Sequence, residues 1–248
     1  MKVTVVTAVL NGIGTIDKCL RSVQSQQYGN IEHLIIDGGS TDGTVEYLSS
    51  SGLIYITEPD SGVYDALNKG IIRASGDVIH ILNADDYYAD TDIVTNAVTL
   101  LEEHNLDLCH GFVEQVDNAG NVIWKIGGDV GRPALLRKMK VAHPSVFVRK
   151  AVYDKYGGYS VGFKIAADQD FLLRVWDKIK IGFIGKTFVK MGMGGISNSN
   201  IELSYRESAA VSLLHGGNLL FIPLNYVWQV FKHKIIVNFV RKLGYRKK

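Results

Sequence analysis

The sequence predicts an α/β protein with a Rossmann-like, mostly parallel central sheet flanked by helices. A helical, basic C-terminal extension follows it. Three observations carry this reading. Short apolar runs alternate with amphipathic segments through residue 103. That alternation implies right-handed βαβ units around a parallel sheet. The runs are rich in β-branched residues and nearly free of charge, as strands covered on both faces must be. Acidic residues also follow three of the runs directly: Asp37, Asp60 and the pair Asp85-Asp86. Ligands in such sheets bind beyond the carboxyl ends of the strands.

The elements read in order. Residues 2–9 form a buried strand, broken by Asn11-Gly12-Ile13-Gly14. Ile16, Cys19, Leu20 and Val23 follow at helical spacing. Residues 31–37 are a second strand, ended by Gly38-Gly39-Ser40. A short helix spans 44–50, with Asp42 or Ser40 as its cap. A third strand covers 53–57. Val63, Leu67, Gly70, Ile71 and Ala74 mark a helix face. A fourth strand at 78–82 closes on Asn83-Ala84-Asp85-Asp86, and 93–103 is helical again. Beyond this point the pattern loosens. Residues 106–116 and 122–126 read as a hairpin around Asn118-Ala119-Gly120-Asn121. Residues 145–149 are a short strand, and 168–178 and 199–215 are helices. The apolar stretch 219–231 is interrupted by Pro223, Asn225 and Gln229. It is too short and too broken for a membrane span.

Composition excludes several classes. With 46% hydrophobic and 21% charged residues and only 4 Pro, the 248-residue chain can bury a core, which argues against disorder. No repeat at a solenoid or propeller period is visible. Cys19 and Cys109 are the only cysteines, so a disulfide framework or cysteine zinc site is not expected. The N-terminus has a strand pattern rather than that of a signal peptide, which points to a reducing, cytoplasmic setting. All 25 acids lie at or before Glu207. Of the 27 Lys and Arg, seven come after it, leaving 20 in the body and a formal charge there of about −5. An acidic body of this kind argues against a nucleic-acid partner.

Several motifs have two readings. Gly12-Ile13-Gly14 after a strand, with Asp37 further on, has the outline of a dinucleotide fingerprint and hence of a dehydrogenase. Asp17 stands where the third glycine belongs, and its charge opposes a pyrophosphate, so a plain strand-to-helix turn is the simpler reading. A nucleotidyltransferase would show a basic phosphate loop after the first strand, but residues 10–16 hold no Lys or Arg. Asp85 and Asp86 are like charges that need a cation or solvent to balance them. A solvated turn satisfies the same pair. Asp168 and Asp170 open a helix, where acids favour the dipole, or where one of them serves as a general base. His143 precedes Pro144; alone, such a histidine is more often structural. The glycines of 194–197 mark a loop.

In this order, the motifs resemble glycosyltransferase family 2, inverting enzymes of the GT-A fold, among them those of bacterial surface-polysaccharide assembly. The resemblance runs from Val3 to about Arg174, more loosely to Ser197, and is carried by six stretches. They are Thr4–Asn11; Ile36-Asp37-Gly38-Gly39-Ser40-Thr41-Asp42; the run from Glu58-Pro59-Asp60 to Asn68-Lys69-Gly70; Asn83-Ala84-Asp85-Asp86; and His143-Pro144-Ser145 with Ala167-Asp168-Gln169-Asp170. The resemblance implies that Thr7, Ala8 and Asp37 line the nucleotide pocket, and that Asn68 and Lys69 sit near the donor sugar or diphosphate. Asn83-Ala84-Asp85 occupies the Asp-x-Asp position. Asp85, with Asp86 beside it, would hold Mn²⁺ or Mg²⁺ on the diphosphate. Asp168 matches the catalytic base, and His143 and Asp170 would lie near the acceptor or the leaving diphosphate. Two departures stand out. Gly38 replaces an acid credited with reading the base, which leaves guanine open beside uracil. Asn83 begins the metal motif without a charge.

The expectation is therefore a metal-dependent transferase. It moves a sugar from a nucleoside-diphosphate donor, UDP before GDP, to a glycan hydroxyl, with inversion. A sugar-nucleotide-binding protein without catalysis is the alternative. Residues 1–125 would bind donor, 126–207 would bind acceptor and supply the base, and 208–248 would form an amphipathic basic extension. Phe221, Tyr226, Trp228, Phe231 and Phe239, with bases and no acid, fit an anionic membrane surface at the inner face and a lipid-diphosphate-linked acceptor. A homodimer contact, or packing on the body, would cover the same residues.

Overall fold

Strand β1 (Val3–Val9) lies among four parallel strands because every residue in it but Ala8 is β-branched and none is charged; only Ala8 is less than buried. The computed structural model describes residues 1–117, 119–192 and 200–242. The segment 194–197, Arg246, Lys247 and Lys248 lie outside the described residues, as do the side chains of Lys234, Phe239, Arg241 and Lys242. The first half follows the expected order: α1 (Ile16–Gln24), β2 (Ile31–Asp37), α2 (Thr44–Ser50), β3 (Ile54–Thr57), α3 (Val63–Arg73) and β4 (Val78–Ile81). Then come β5 (Asp86–Tyr88), α4 (Ile93–Glu103), β6 (Leu108–Val116) and β7 (Val122–Ile126). The second half adds α5 (Arg132–Leu135), β8 (Val146–Arg149), α6 (Lys150–Tyr156), α7 (Ala167–Val175) and β9 (Ile181–Met191). It ends with α8 (Ile201–Leu214) and α9 (Phe221–Lys242).

The nine strands form one sheet in the order β3-β2-β1-β4-β8-β6-β9-β5, with β7 paired to β6. Strands β1, β2, β3, β4, β6 and β9 run one way; β5, β7 and β8 oppose them. Val9, Asp37 and Thr57 end level in register, so the loops after β1, β2 and β3 converge at one rim. α3 packs its face of Ala66, Leu67 and Ile71 on one side of the sheet, with α6 and α7. α4 covers the other.

The sequence reading did not place β5, α5, α6 or β9. β5 begins within the acidic motif itself, and its three residues are too few to show a period. β9 is mostly half-buried, with Gly182 and Gly185 breaking its alternation.

Three histidines lie buried in this sheet. His33 Nε2 is 3.0 Å from Thr7 Oγ1. His80 donates Nε2–H to the Pro144 carbonyl at 2.8 Å and accepts at Nδ1 from Tyr88 Oη at 2.7 Å. His110 packs beside Trp176 and Phe183. Burial holds His33 and His110 at about 4 and His80 at about 3. Each folded value is below the unfolded one, so this stability is present above about pH 6.5. It is lost as pH falls toward the folded values. Asp86 and His143, both held above their ordinary pKa values, act in the opposite sense, two groups against three. The urea midpoint should fall between pH 7 and pH 5, and His33→Gln should flatten the fall; an unchanged slope would remove His33 from this account.

Candidate active site

The carboxyl end of β4, the turn before β8 and the N-terminus of α7 bring six of the singled-out residues together. β4 delivers Asn83, Ala84, Asp85 and Asp86 in a tight turn closed by Asp86 N–H to the Asn83 carbonyl at 3.0 Å. The 3₁₀ turn His143–Ser145 holds His143 beside them, fixed from beneath by the His80–Pro144 bond. α7 presents Asp168 in its first turn, where the helix dipole favours a carboxylate. Asp168 Oδ2 is 3.3 Å from His143 Nδ1. His143 Nε2 is 3.2 Å from the Asn83 amide, which is 2.9 Å from Asp86 Oδ2. One chain of polar contacts thus runs from Asp168 to Asp86.

Electrostatics sort these groups. Asp86 is fully covered. Burial first, and then the charge of Asp85, push its carboxyl up to about 8. It is therefore mostly protonated at neutral pH. Its Oδ1 is buried and has no hydrogen-bond partner among the described residues. For His143, burial works against protonation, but the hydrogen bond and charge of Asp168, then Asp86 and Asp85, outweigh it and raise its pKa. As placed, the Asn83 amide nitrogen donates to a neutral His143. Turned end for end, its oxygen accepts from both a protonated His143 and a protonated Asp86.

The metal expectation named Asp85 and Asp86. Asp86, expected beside Asp85 on the ion, turns into the core, because neighbouring residues at a strand start face opposite ways. Among the described residues, no three His, Cys, Asp or Glu side chains converge as a cage. Asp85 stays half-exposed and has no ion-pair partner among them. One hard carboxylate fits a cation whose other oxygens come from a diphosphate and water.

Four other expected residues are held by contacts within the protein. Thr7 is fully buried on the α1 side of the sheet, held by His33 and 3.8 Å from Cys19 Sγ. Asn68 spends its amide on both backbone groups of Tyr159, each at 2.8 Å. Lys69 donates to the Pro59 carbonyl at 2.7 Å and pairs with Asp65 and Glu58. Asp170 is locked between Arg174 at 2.7 Å and His215 at 2.8 Å. Ala84 packs near Gly12 and closes the turn from inside, and Ala8 is half-buried against the α3 side. In the first loop, Gly12 N–H goes to Thr44 Oγ1 and Ile13 N–H to Asp42 Oδ2, so neither is left for a pyrophosphate. Asp42 also accepts from Thr44 N–H at the start of α2, whereas Ser40 accepts from Asn11.

At the rim of β2 and β3, Asp37 Oδ2 accepts from the Gly39 and Ser40 N–H groups, and the residue is fully covered. A Cβ at Gly38 would meet Asp60 Oδ2 at 2.3 Å. The carboxylate of Asp60 therefore fills the place of the acid missing at 38. Asn68 leaves as little room at Gly158, where a Cβ would meet its Oδ1 at 2.3 Å. Asn68→Ala should lower stability by about 1–3 kcal/mol by stranding the Tyr159 N–H and carbonyl. Equal urea midpoints for the two proteins would show that water satisfies both.

Glu207 was not singled out. From α8 its carboxylate accepts the N–H groups of Lys164, Ile165 and Ala166 at 2.8–3.1 Å, gripping the segment that leads into Asp168. Tyr64 Oη donates to the Ile165 carbonyl from the other side. No local motif marks Glu207, since its partners lie some 40 residues upstream.

This sheet, with a carboxylate turn after β4 and an acid opening α7, has the architecture of the GT-A glycosyltransferases. The chain belongs to the family described as glycosyl transferase family 2, whose model matches residues 4–166. A glycosyltransferase of Mycobacterium tuberculosis strain H37Rv is 36% identical over 218 residues, covering 84% of this chain and 79% of that one. A PGL/p-HBAD biosynthesis glycosyltransferase of Mycobacterium bovis BCG is 27% identical over 229 residues, 88% of each chain. Among solved structures, residues 1–349 of TarS from S. aureus with UDP-GlcNAc superpose with TM-score 0.70 at 18% identity. The match covers 88% of this chain and 68% of that one. The mannosyltransferase PcManGT of Pyrobaculum calidifontis, with GDP-Man and Mn²⁺, gives TM-score 0.66 at 18% identity over 91% and 68%.

Proposed function

We propose that the chain transfers a sugar from a nucleoside-diphosphate donor, a UDP-sugar before a GDP-sugar, to a hydroxyl of a glycan acceptor, with inversion. The observation that carries this is the meeting of Asp85, His143 and Asp168 at one rim of the sheet. Donor binds over residues 1–125 and acceptor over 126–207. Asp60 offers a carboxylate oxygen to a base N–H of uracil or guanine, and Asp37 beneath it holds the Gly39-Ser40 turn at the rim. Asp85 would hold Mn²⁺ or Mg²⁺, which supplies Lewis-acid neutralisation of the departing diphosphate. Asp168 takes the proton of the attacking hydroxyl. His143 orients Asp168 and, when protonated, adds positive charge near the diphosphate. Attack opposite the leaving group turns an α-linked donor into a β-glycoside.

The pathway reading is surface polysaccharide or glycolipid assembly at the inner membrane face. No helix among the described residues is long and apolar enough to cross a membrane. Leu220, Leu224, Val227, Trp228, Phe231 and Ile235 are exposed and fall on one face of α9 or just before it. With the tail's bases, that stripe suits an anionic surface. The deciding experiment is donor binding and hydrolysis across UDP- and GDP-sugars with Mn²⁺, Mg²⁺ or EDTA. One metal-dependent donor is the expected result; a folded protein that binds none would overturn the reading.

A further inference from the structure

The start of α7 is tied to α8 on both sides of Asp168. Ahead of it, the Glu207 carboxylate accepts from Ile165 N–H at 2.8 Å and from Ala166 N–H at 3.1 Å. Behind it, the Gln169 amide lies 3.3 Å from Ser212 Oγ. Asp170 Oδ1 lies 2.8 Å from Nε2 of His215, at the C-terminal end of α8. None of these ties uses the Asp168 side chain, whose Oδ2 faces His143 Nδ1 at 3.3 Å. The neighbours of the base are thus held from α8, and the base itself is left to the site.

The tie at Glu207 answers a local need. The N-cap of α7 is Ala166, which has no side-chain oxygen to hold the helix entry. The loop before it contains Gly157, Gly158 and Gly162, residues that lose much backbone freedom on ordering. Ile165 and Ala166 are buried, so their N–H groups need a partner from the protein. Glu207 Oε2 serves both and Lys164 N–H as well, and Oε1 also accepts from Lys164. A carboxylate suits the task because it only accepts, whereas an amide would set an NH₂ against one of these donors. With Tyr64 Oη donating to the Ile165 carbonyl, both backbone groups of Ile165 are held.

We propose that Glu207 is a positioning residue for Asp168: from α8 it fixes the backbone that aims the base at the attacking hydroxyl. The inference rests on the transferase reading above. It adds a residue whose carboxylate is spent on backbone and which acts through the base.

The test is a double-mutant cycle on the full chain. Glu207→Gln and Glu207→Ala are each made alone and with Asp168→Asn. Turnover is read as hydrolysis of whichever UDP- or GDP-sugar the wild type accepts, with water as the attacking group, and donor affinity is read by calorimetry. Hydrolysis should fall about tenfold in Glu207→Gln and about 10²-fold in Glu207→Ala, with donor affinity within about twofold of wild type, as for a misplaced reacting group. In the Asp168→Asn background neither change should lower the residual rate further, because nothing is left to position. Losses that add to that of Asp168→Asn would overturn the proposal, as would a loss confined to donor affinity.

A second readout is independent of turnover. Burial opposes protonation of His143, yet the hydrogen bond and charge of Asp168 raise its pKa. The NMR titration of His143, identified by its absence in His143→Gln, should move down in both Glu207 variants, as in Asp168→Asn. The double variants should show no further shift. An unmoved titration would mean that Asp168 keeps its place without Glu207 and would overturn the proposal. Both readouts are taken on the isosteric Glu207→Gln, so the test stands even where Glu207→Ala does not fold. A wild-type protein that binds no donor would refute the transferase reading, while the His143 titration still decides whether Glu207 places Asp168.

Discussion

Asp168→Asn should leave the protein folded and donor affinity near wild type, while sugar transfer falls by about 10²–10⁴-fold. The amide keeps the volume of the carboxylate and can still accept the Gln169 N–H that Asp168 Oδ1 now accepts at 2.7 Å. It cannot take a proton from an attacking hydroxyl. It also removes the anion 3.3 Å from His143 Nδ1, so the first-named support for a raised imidazole pKa disappears. The measurement is turnover with donor and acceptor at saturation, alongside calorimetric donor affinity. A loss confined to donor affinity would place Asp168 in binding rather than in proton transfer. A fall of less than about tenfold would remove it as the base.

The second large effect separates two neighbours. Asp85→Ala should abolish the response to Mn²⁺ or Mg²⁺ and lower transfer by about 10²–10³-fold, the scale of losing one electrostatic stabiliser of a leaving group. Asp86→Asn should change transfer far less at pH 7. Its carboxyl, pushed up to about 8 by burial, is already mostly neutral, and an amide mimics the neutral acid. The pair is adjacent in sequence, so any model that treats both as ligands predicts equal losses. Metal titration of both variants decides between the models. Equal collapse would return Asp86 to the ion.

The first half of the fold was legible because each strand there is a buried run bounded by glycine or acid, and each helix carries a one-sided apolar face. Strand 31–37 and helices 44–50 and 93–103 stand at the predicted bounds. The pieces that escaped are short or half-covered, as β5 and β9 show, and get their order from pairing rather than from their own pattern. The residue types of the site were equally visible; their directions were not. Asn68, Lys69 and Asp170 sit in the motif stretches, yet each is held by a local partner, Tyr159, Pro59 or His215. A spacing rule finds the turn that carries a side chain, but which way that side chain points depends on groups far along the chain. Thr7 illustrates the point: in a strand, one position separates the rim from the core, and His33 decides which side it serves.

The Glu207 clasp bears on how such chains diversify. The family model matches up to Ala166, the last backbone amide that Glu207 holds. An exchange of α8 and α9 for another helical pair keeps this grip only if the newcomer presents a carboxylate at that point. Swapping α8 and α9 between relatives would then graft a new receiving surface onto an unaltered donor half. A graft lacking the acid would inherit the surface and lose the alignment of Asp168.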